Sequence, residues 1–483
     1  MKKNNKKIKS KVNIISYSIF SIMILLSVIT FGIVIKLGVL PTKYLTLILI
    51  TYTIMCLLFG LLIFKKKIRK WVKIVIDIFC IFIIFVLGFG LNYLNQTLNF
   101  MDKITAGEYQ DEEYYVLVLD DSNYESITDL EDQLLGTYTD LSNTYDEALL
   151  KTKNEINLDT KNYSSYIEAG HALIDGDVEA IFISSAHKSI LDDLIADFDS
   201  KVRSIYNIIL SVENNIEVKE ADVTNESFNI YISGIDTYGD ISSVSRSDVN
   251  MVVTVNPKTN EVLLTSIPRD YYVKLHGTTG YKDKLTHAGI YGINMSIQTI
   301  EDLLDIDINY YVRVNFTTLI SLVDSIGGIS IYSDKEFTAY TNKNCTFKLG
   351  NNTVNGDCAL AFARERFAYE TGDRHRVQNQ QDVLKSILKK ALSSTTLITK
   401  YSNILKTLER SFETNIPSTE IYNLINMQLD EMPSWNISNY SLNGSDSHNY
   451  TYSYNASTLY VMEPDYTTVT EGQKKIKAIL NGE

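Results

Sequence analysis

The 483-residue sequence contains few of the residues that mark several common enzyme classes. It has 6 histidines, 4 cysteines and 6 prolines. No GxSxG, no HExxH and no phosphate-binding glycine loop ending in Lys-Ser or Lys-Thr occurs, and the dispersed histidines have no triad spacing. The cysteine spacing does not fit a zinc site. The sequence therefore argues against a serine hydrolase, a zinc metalloprotease and a P-loop enzyme.

Basic charge is also scarce after residue 100. Residues 1–100 carry 14 Lys and Arg against one acid, Asp77, whereas residues 101–483 carry 31 basic and 57 acidic side chains. The net charges are +13 for the first part and −26 for the second. Because a segment of that charge repels a phosphate backbone, the sequence gives no electrostatic support for nucleic-acid binding.

Three long apolar runs fill the first 100 residues, and we predict membrane helices over about 12–35, 44–64 and 74–93. Each run can cross a hydrocarbon core of about 30 Å. A cleaved signal peptide is the alternative for the first run, but no small-residue cleavage site follows it. Lysines cluster before the first run and between the second and third. The positive-inside rule therefore predicts a multi-pass cell-membrane protein whose residues after about 100 are extracellular.

The exterior part is predicted to contain two α/β modules. Residues 101–222 form a small accessory domain, in which strands at 114–119 and 178–184 alternate with helical stretches near 130–135 and 145–150. Asp120 and Asp121 either bind a metal or form a solvated turn, and His171 and His187 are interpreted as structural. We assign this module no catalytic role.

The second module, residues 225–483, is predicted to build a sheet flanked by helices. Strands at 228–233, 249–256 and 261–267 are joined by short links, which favours an antiparallel meander. Helices are expected at 292–304, 316–326 and 379–392, a late strand at 459–462 and a last helix near the carboxyl end. Cys345 and Cys358, 13 residues apart, are either a disulfide or two free thiols.

The meander brings charged residues to one sheet edge. Asp236 follows the first strand, Arg246 and Asp248 precede the second, and Arg269 follows the third at Pro268-Arg269. Paired carboxylates suit Mg²⁺, which takes few protein ligands, although turn-capping aspartates are the alternative. The edge is therefore predicted to bind an oxyanion and a divalent metal.

Two further arginine pairs follow downstream. Arg364 and Arg366 point to the same side if their segment is extended, and guanidinium groups match phosphate oxygens. A surface pair bridged by Glu365 is the alternative for them, and the same alternative holds for Arg374 and Arg376 beside Asp373. Taken with the sheet edge, these arginines predict phosphate-group chemistry.

The ordered motifs resemble those of the LytR-CpsA-Psr cell-envelope family. They are Gly234-Ile235-Asp236, Arg246-Ser247-Asp248, Ser266-Ile267-Pro268-Arg269-Asp270, Lys284-Leu285-Thr286-His287-Ala288, Val323-Asp324-Ser325-Ile326-Gly327-Gly328, Gly356 with Ala359-Leu360, Arg364-Glu365-Arg366, Gly372-Asp373-Arg374-His375-Arg376 and Asn379-Gln380-Gln381. The resemblance covers roughly residues 225–395. Three membrane spans and an accessory module also look like the capsule-associated branch. The chain departs from the family at Leu285-Thr286, where Ile-Asn is frequent, and at Cys358, where a polar residue is common.

The resemblance implies a phosphotransferase that moves an anionic or capsular glycopolymer from a polyprenyl-pyrophosphate carrier to peptidoglycan. Asp236 and Asp248 would hold Mg²⁺, and either could activate the acceptor hydroxyl. The pyrophosphate would be bound by Arg246, Arg269, Arg364, Arg366, Arg376 and Gln380. The lipid would lie in an apolar tunnel between sheet and helices. A non-catalytic polyprenyl-phosphate-binding regulator and a lipid pyrophosphatase are the alternative hypotheses.

Overall fold

The computed structural model describes residues 2–38, 40–65, 68–104, 109–140, 143–213, 219–236, 241, 245–392, 404, 412–454 and 457–483. The chain forms two compact units. One comprises Met1–Thr105, Ala391–Lys406 and Ile416–Ser434, and the other comprises Ala106–Lys390, Thr407–Asn415 and Trp435–Glu483.

Three long helices dominate the first unit: α1 (Lys2–Leu37), α2 (Thr42–Phe64) and α3 (Lys70–Ile104). Their stretches Asn13–Lys36, Thr42–Phe64 and Lys70–Leu98 are long and apolar enough to cross a membrane. Large apolar side chains such as Leu61 and Phe85 are more than two-thirds exposed, which suits a hydrocarbon surrounding. The three predicted spans are confirmed.

The second unit begins with a five-stranded sheet in the order β3-β2-β4-β1-β5. Its strands are β1 (Tyr109–Leu119), β2 (Leu134–Tyr138), β3 (Asp159–Tyr163), β4 (Ala180–Ser184) and β5 (Val202–Glu213). Its helices are α4 (Asn143–Glu155), α5 (Tyr166–Ile174), α6 (Ser185–Leu194) and α7 (Phe198–Lys201). The α/β character predicted for this region is confirmed.

Two details of that region differ from or refine the prediction. The helix predicted near 130–135 is wrong: a short 3-10 turn at Ile127–Leu130 is followed by β2. Asp132, between them, has a positive φ of 60°, a conformation that interrupts a helix. Asp120 and Asp121 form an exposed turn after β1, and the described residues contain no group of three His, Cys, Asp or Glu suited to a metal.

A six-stranded mixed sheet follows, in the order β16-β11-β6-β7-β8-β17. Its strands are β6 (Phe228–Gly234), β7 (Val249–Asn256), β8 (Glu261–Ile267), β11 (Tyr310–Val314), β16 (Phe412–Thr414) and β17 (Asn436–Ser441). The predicted antiparallel meander is confirmed as β6-β7-β8. Strand β11 runs parallel to β6 and β17 parallel to β8, so the sheet is mixed.

Short strands and helices complete the chain. The strands are β9 (Tyr272–Val273), β10 (Asp283–Lys284), β12 (Ile329–Ser333), β13 (Phe337–Thr338), β14 (Thr346–Phe347), β15 (Gly350–Val354), β18 (Gly444–Asn449) and β19 (Leu459–Pro464). The helices are α8 (Leu285–Ala288), α9 (Ile293–Leu304), α10 (Phe316–Ser325), α11 (Gly356–Ala363), α12 (Asp373–Ala391), α13 (Ser418–Glu431) and α14 (Tyr466–Asn481). Helix α13 belongs to the unit that contains the membrane helices.

The six-stranded sheet is covered on both faces. Because side chains alternate along a strand, Tyr231 and Val252 point to one face, where Ile297 of α9 and Ile476 of α14 share their core. The neighbouring Ile232 points to the other face, toward α10, α11 and α12. The functional site lies on that second face. The predicted domain limits, 101–222 and 225–483, stay a prediction, since both sheets lie in one compact unit.

Candidate active site

The strand ends meet as the sequence predicts. Gly234 pairs with Val249 across β6 and β7, and Asn250 pairs with Ile267 across β7 and β8. The Asp248 amide donates to the Gly234 carbonyl at 2.7 Å. A Cβ on Gly234 would lie 2.7 Å from the Val249 Cβ, so only glycine allows this close approach. The ends of β6 and β7 therefore pack closely together at the sheet edge that carries Asp236, Asp248 and Arg269.

All eight predicted site residues line one cavity of about 450 Å³ between the sheet and the helices: Asp236, Arg246, Asp248, Arg269, Arg364, Arg366, Arg376 and Gln380. Five arginines against two aspartates give the lining an excess of positive charge, which favours an anion. Their convergence is observed, whereas the individual roles assigned to them stay predictions.

Asp248 and Arg269 form the centre of the polar end. Arg269 Nη1 lies 2.8 Å from Asp248 Oδ1, and the Thr286 hydroxyl donates to the same oxygen at 3.1 Å. Arg269 Nε is 3.5 Å from Asp270, whose other oxygen is 3.1 Å from Lys284 Nζ. Burial by itself raises the pKa of Asp270, but Lys284 and Arg269 outweigh it and the net pKa is lowered. The motif at 284–286, where the chain departs from the family, thus contacts Asp248 directly.

The surroundings of Asp236 disfavour the charged form of its carboxylate. Burial and the negative charge of Asp248 raise its pKa, against the opposing effect of Arg364, Arg269 and Arg246. Arg364 Nη2 is its ion-pair partner at 3.8 Å. Both contacts described for Asp248 fall on Oδ1. Two carboxylates that line the same cavity are a donor set that fits Mg²⁺, which keeps most of its waters.

Arg364 and Arg366 reach the cavity for a reason other than the predicted one. Their segment is not extended: α11 ends at Ala363, and Arg364 is its αR carboxy-terminal cap. The Arg364 guanidinium lies over the Phe316 ring, 4.2 Å from its centroid. Arg366 Nε is 3.2 Å from Asp373. The helix end, not strand alternation, therefore directs both side chains into the cavity.

Glu365 does not bridge the two arginines, and the surface-pair alternative is wrong for them. Its side chain is buried, with 1% of the residue exposed. One oxygen accepts the Tyr340 amide at 2.7 Å, and the other accepts the Phe367 and Ala368 amides at 2.8 and 3.0 Å. Through these bonds the Glu365 carboxylate holds the backbone of two segments at the rim of the cavity.

Arg376 is the most enclosed cation of the lining, with 7% of the residue exposed. Its Nη2 is 2.9 Å from the same Asp373 oxygen that Arg366 contacts, and its buried Nε has no hydrogen-bond partner among the described residues. Burial lowers the pKa of Arg376 to about 10. A buried donor without an acceptor is costly, and an anion in the cavity would satisfy it. Arg374, by contrast, is exposed and bonds the Gly444 carbonyl at 3.0 Å outside the cavity.

The other end of the cavity is aliphatic. It is lined by Ile232, Met251, Leu319, Leu360, Val383 and Ile387, from the sheet and from α10, α11 and α12. The predicted helix at 379–392 supplies part of this lining, and its Val383 and Ile387 are buried. One cavity therefore joins a cationic end to an apolar end.

Several contributing residues were not predicted from the sequence. Phe316, Tyr340 and Phe367 line the cavity, and Asp373 orients two of its arginines. Asp373 belongs to the motif Gly372-Asp373-Arg374-His375-Arg376. Its position three residues before Arg376 could have predicted their ion pair. Tyr340 had no local signal, since its position depends on the disulfide between Cys345 and Cys358, whose Cα atoms are 5.4 Å apart. That disulfide resolves the open alternative for these cysteines.

A cavity with an arginine-rich end, paired aspartates and an aliphatic end defines a class of protein that acts on an amphiphilic phosphate compound. The family model described as "LytR_cpsA_psr family" matches residues 194–475, more than half of the chain. The chain belongs to the LytR-CpsA-Psr family. A model described as "DNA polymerase processivity factor" matches residues 45–183, a range that includes most of α2 and all of α3.

Individual proteins are also similar to this chain. The chain is 34% identical over 233 residues to the polyisoprenyl-teichoic acid–peptidoglycan teichoic acid transferase TagU of Bacillus cereus (strain AH820), covering 48% of this chain and 75% of the relative. It is 35% identical over 213 residues to the biofilm regulatory protein A of Streptococcus mutans, covering 41% and 52%. The crystal structure of B. subtilis TagV is 32% identical, covers 53% of this chain and 98% of that chain, and superposes with a TM-score of 0.46.

Proposed function

We propose that this protein is a phosphotransferase that moves an anionic or capsular glycopolymer from a polyprenyl-pyrophosphate carrier to peptidoglycan. The observation that supports it best is the single cavity in which five arginines and two aspartates adjoin an aliphatic end. Family membership and a relative named as a polyisoprenyl-teichoic acid–peptidoglycan transferase support the same substrate class.

The two ends of the cavity match the two parts of the donor, the isoprenoid chain and the pyrophosphate. The aliphatic end between α10, α11 and α12 excludes water and accepts the first isoprene units of the carrier. Arg246, Arg269 and the three arginines at 364, 366 and 376 bind the pyrophosphate, because guanidinium groups stay charged in a partly apolar site. Arg376 Nε, for which the described part of the chain offers no acceptor, is a directed donor for one phosphate oxygen.

The reaction exchanges one phosphorus–oxygen bond for another. An acceptor hydroxyl oxygen attacks the phosphorus that carries the glycopolymer, and the bond from that phosphorus to the bridging oxygen breaks. The polyprenyl monophosphate leaves with the bridging oxygen, and the hydroxyl proton passes to a carboxylate, Asp236 or Asp248. Positioning and charge neutralisation are the main requirements of such a transfer.

Mg²⁺ held by Asp236 and Asp248 would neutralise charge on the pyrophosphate oxygens. The raised pKa of Asp236 supports this assignment, since a cation would relieve its repulsion by Asp248. Arg269 holds Asp248 in place through Oδ1.

The membrane orientation follows from charge. By the positive-inside rule, the lysines at the start of α1, ahead of its apolar stretch, and those between α2 and α3 favour a cytoplasmic location for those segments and an extracellular location for the residues after α3. Peptidoglycan lies on that side. Protease accessibility of residues after α3 in intact cells tests the orientation, and protection of these residues would contradict it.

The test of the activity uses the full chain in nanodiscs with a polyprenyl-pyrophosphate oligosaccharide and peptidoglycan fragments, with and without Mg²⁺, and mass spectrometry of the products. A phosphodiester-linked conjugate that is lost in Arg269→Ala and kept in Arg374→Ala is expected. Free polyprenyl monophosphate without conjugate would instead indicate a lipid pyrophosphatase, and tight binding without product would indicate a regulator.

A further inference from the structure

Two aromatic rings stand exposed at the rim of the cavity. Phe367 is 72% exposed and Tyr340 is 58% exposed, and their ring centroids are 4.2 Å apart at an interplanar angle of 43°. Both line the cavity, next to Arg366. We call this pair the aromatic shelf. Exposed apolar rings beside a polar site are unfavourable in water and usually mark a binding surface.

The shelf is held in position by buried groups. The Glu365 carboxylate accepts the backbone amides of both shelf residues, at 2.7 and 2.8 Å. The loop that carries Tyr340 is closed by the Ala339 amide bonded to the Cys345 carbonyl at 2.9 Å, and Cys345 is joined by its disulfide to α11. A carboxylate that is almost completely buried and a disulfide thus hold the backbone of the two segments that carry these exposed rings.

We propose that the aromatic shelf is a saccharide subsite, on which the sugar next to the pyrophosphate stacks with its C–H face. This inference rests on the proposed function. Sugar rings stack on flat aromatic faces through C–H bonds, and they recognise nearby cations and hydroxyls through hydrogen bonds. The shelf offers both, because Lys343 Nζ lies 4.8 Å from the Tyr340 ring centroid and Thr341 lines the same rim.

The observations favour a sugar over the isoprenoid carrier as the occupant. Aliphatic side chains that suit the carrier lie elsewhere in the cavity, where Leu360, Val383 and Ile387 are each less than 9% exposed. The shelf is open to solvent and adjoins a cation. Since a pyrophosphate links a lipid to a sugar, an enclosed aliphatic end and an open aromatic rim fit the two sides of one donor.

The experiment compares binding of two ligands to the full chain in nanodiscs, without acceptor. One is a polyprenyl pyrophosphate that carries an oligosaccharide, and the other is the same polyprenyl pyrophosphate without sugar. Phe367→Ala and Tyr340→Ala are each expected to weaken binding of the first by roughly tenfold, the order of one aromatic contact, and to leave the second unchanged. Phe367→Trp should retain binding, whereas Phe367→Leu should not.

Tyr332→Ala is the matched control, because Tyr332 is 59% exposed and lies on β12 outside the cavity lining. Equal weakening for both ligands would show that the shelf contacts the lipid, and no weakening for either would show that it contacts no part of the donor. Both results would overturn the inference. The assay needs no turnover, so absence of transfer in the wild-type protein would contradict the proposed function while the binding comparison still decides the subsite.

Discussion

Arg376 offers the sharpest separation between a binding role and a structural role. Burial lowers its pKa to about 10, and this shift corresponds to about 3 kcal/mol against the charged form. At pH 7 the arginine is protonated in both the folded and the unfolded protein, so the folded protein carries that whole cost. The shift already includes the favourable effect of Asp373.

We therefore expect Arg376→Met to fold with equal or higher stability, by at most about 3 kcal/mol, because an aliphatic side chain removes the desolvated charge. Asp373 keeps Arg366 as a partner at 3.2 Å. Transfer activity should nevertheless fall by about 10²–10³, the usual effect of deleting one preorganised donor to a reacting group. Arg376→Lys should recover only part of it, since lysine keeps the charge but lacks the fork.

The assay pairs thermal unfolding of the full chain in detergent with the conjugate-forming reaction. Polyprenyl pyrophosphate should raise the melting temperature of the wild type by much more than that of Arg376→Met. Arg374→Met is the control, because its exposed contacts should be worth less than about 1 kcal/mol. A loss of several kcal/mol in unligated Arg376→Met, with activity falling only in proportion to unfolding, would refute the reasoning.

Three further predictions concern the surroundings of the site. Thr286→Val removes the hydroxyl that donates to Asp248 at 3.1 Å, and it should lower kcat by about tenfold with little change in KM. Thr286→Ser should restore kcat. An unchanged kcat in Thr286→Val would contradict a positioning role for this hydroxyl. Replacing Cys345 and Cys358 together by serine should lower the free energy of unfolding by about 3 kcal/mol, as expected for a closed loop of this length. Denaturant titrations measure this loss, and Cys56→Ser, which removes a free cysteine, is the control. Burial lowers the pKa of His187 although Asp140 opposes it, so stability should fall as pH drops through the ordinary value of about 6.5 toward the lower folded pKa. His187→Asn should flatten that slope in melting curves from pH 7.5 to 5, and an equally steep slope would contradict the assignment.

The sheet edge could be predicted because its signals are local. Apolar strands joined by short links fix which ends meet, and Pro268 stops β8 where Arg269 is required. The motifs then added Arg376 and Gln380, and the structure brings both to the same cavity.

The remaining parts depend on contacts distant in sequence. Strand β17 reads Asn-Ile-Ser-Asn-Tyr-Ser, with little apolar character, yet it pairs with β8, and Gln381 donates to one carbonyl of each strand, at Tyr440 and Leu264. The charge pattern around Glu365 indicates a surface ion pair, since nothing local shows that backbone amides from two segments will surround it. Tertiary structure decides both cases.

The mixed sheet has a consequence for the timing of synthesis. The strand that delivers Arg269 is completed on its outer side by residues 436–441, and the face behind it is closed by α14, whose Ile476 is fully buried. Both pieces are translated about 170 to 210 residues after Arg269 itself. A nascent chain that already contains all five arginines therefore still lacks β17 and α14, the two elements that complete the sheet behind Arg269. The cationic end of the cavity is complete only once α14 has been synthesised and packed against the sheet.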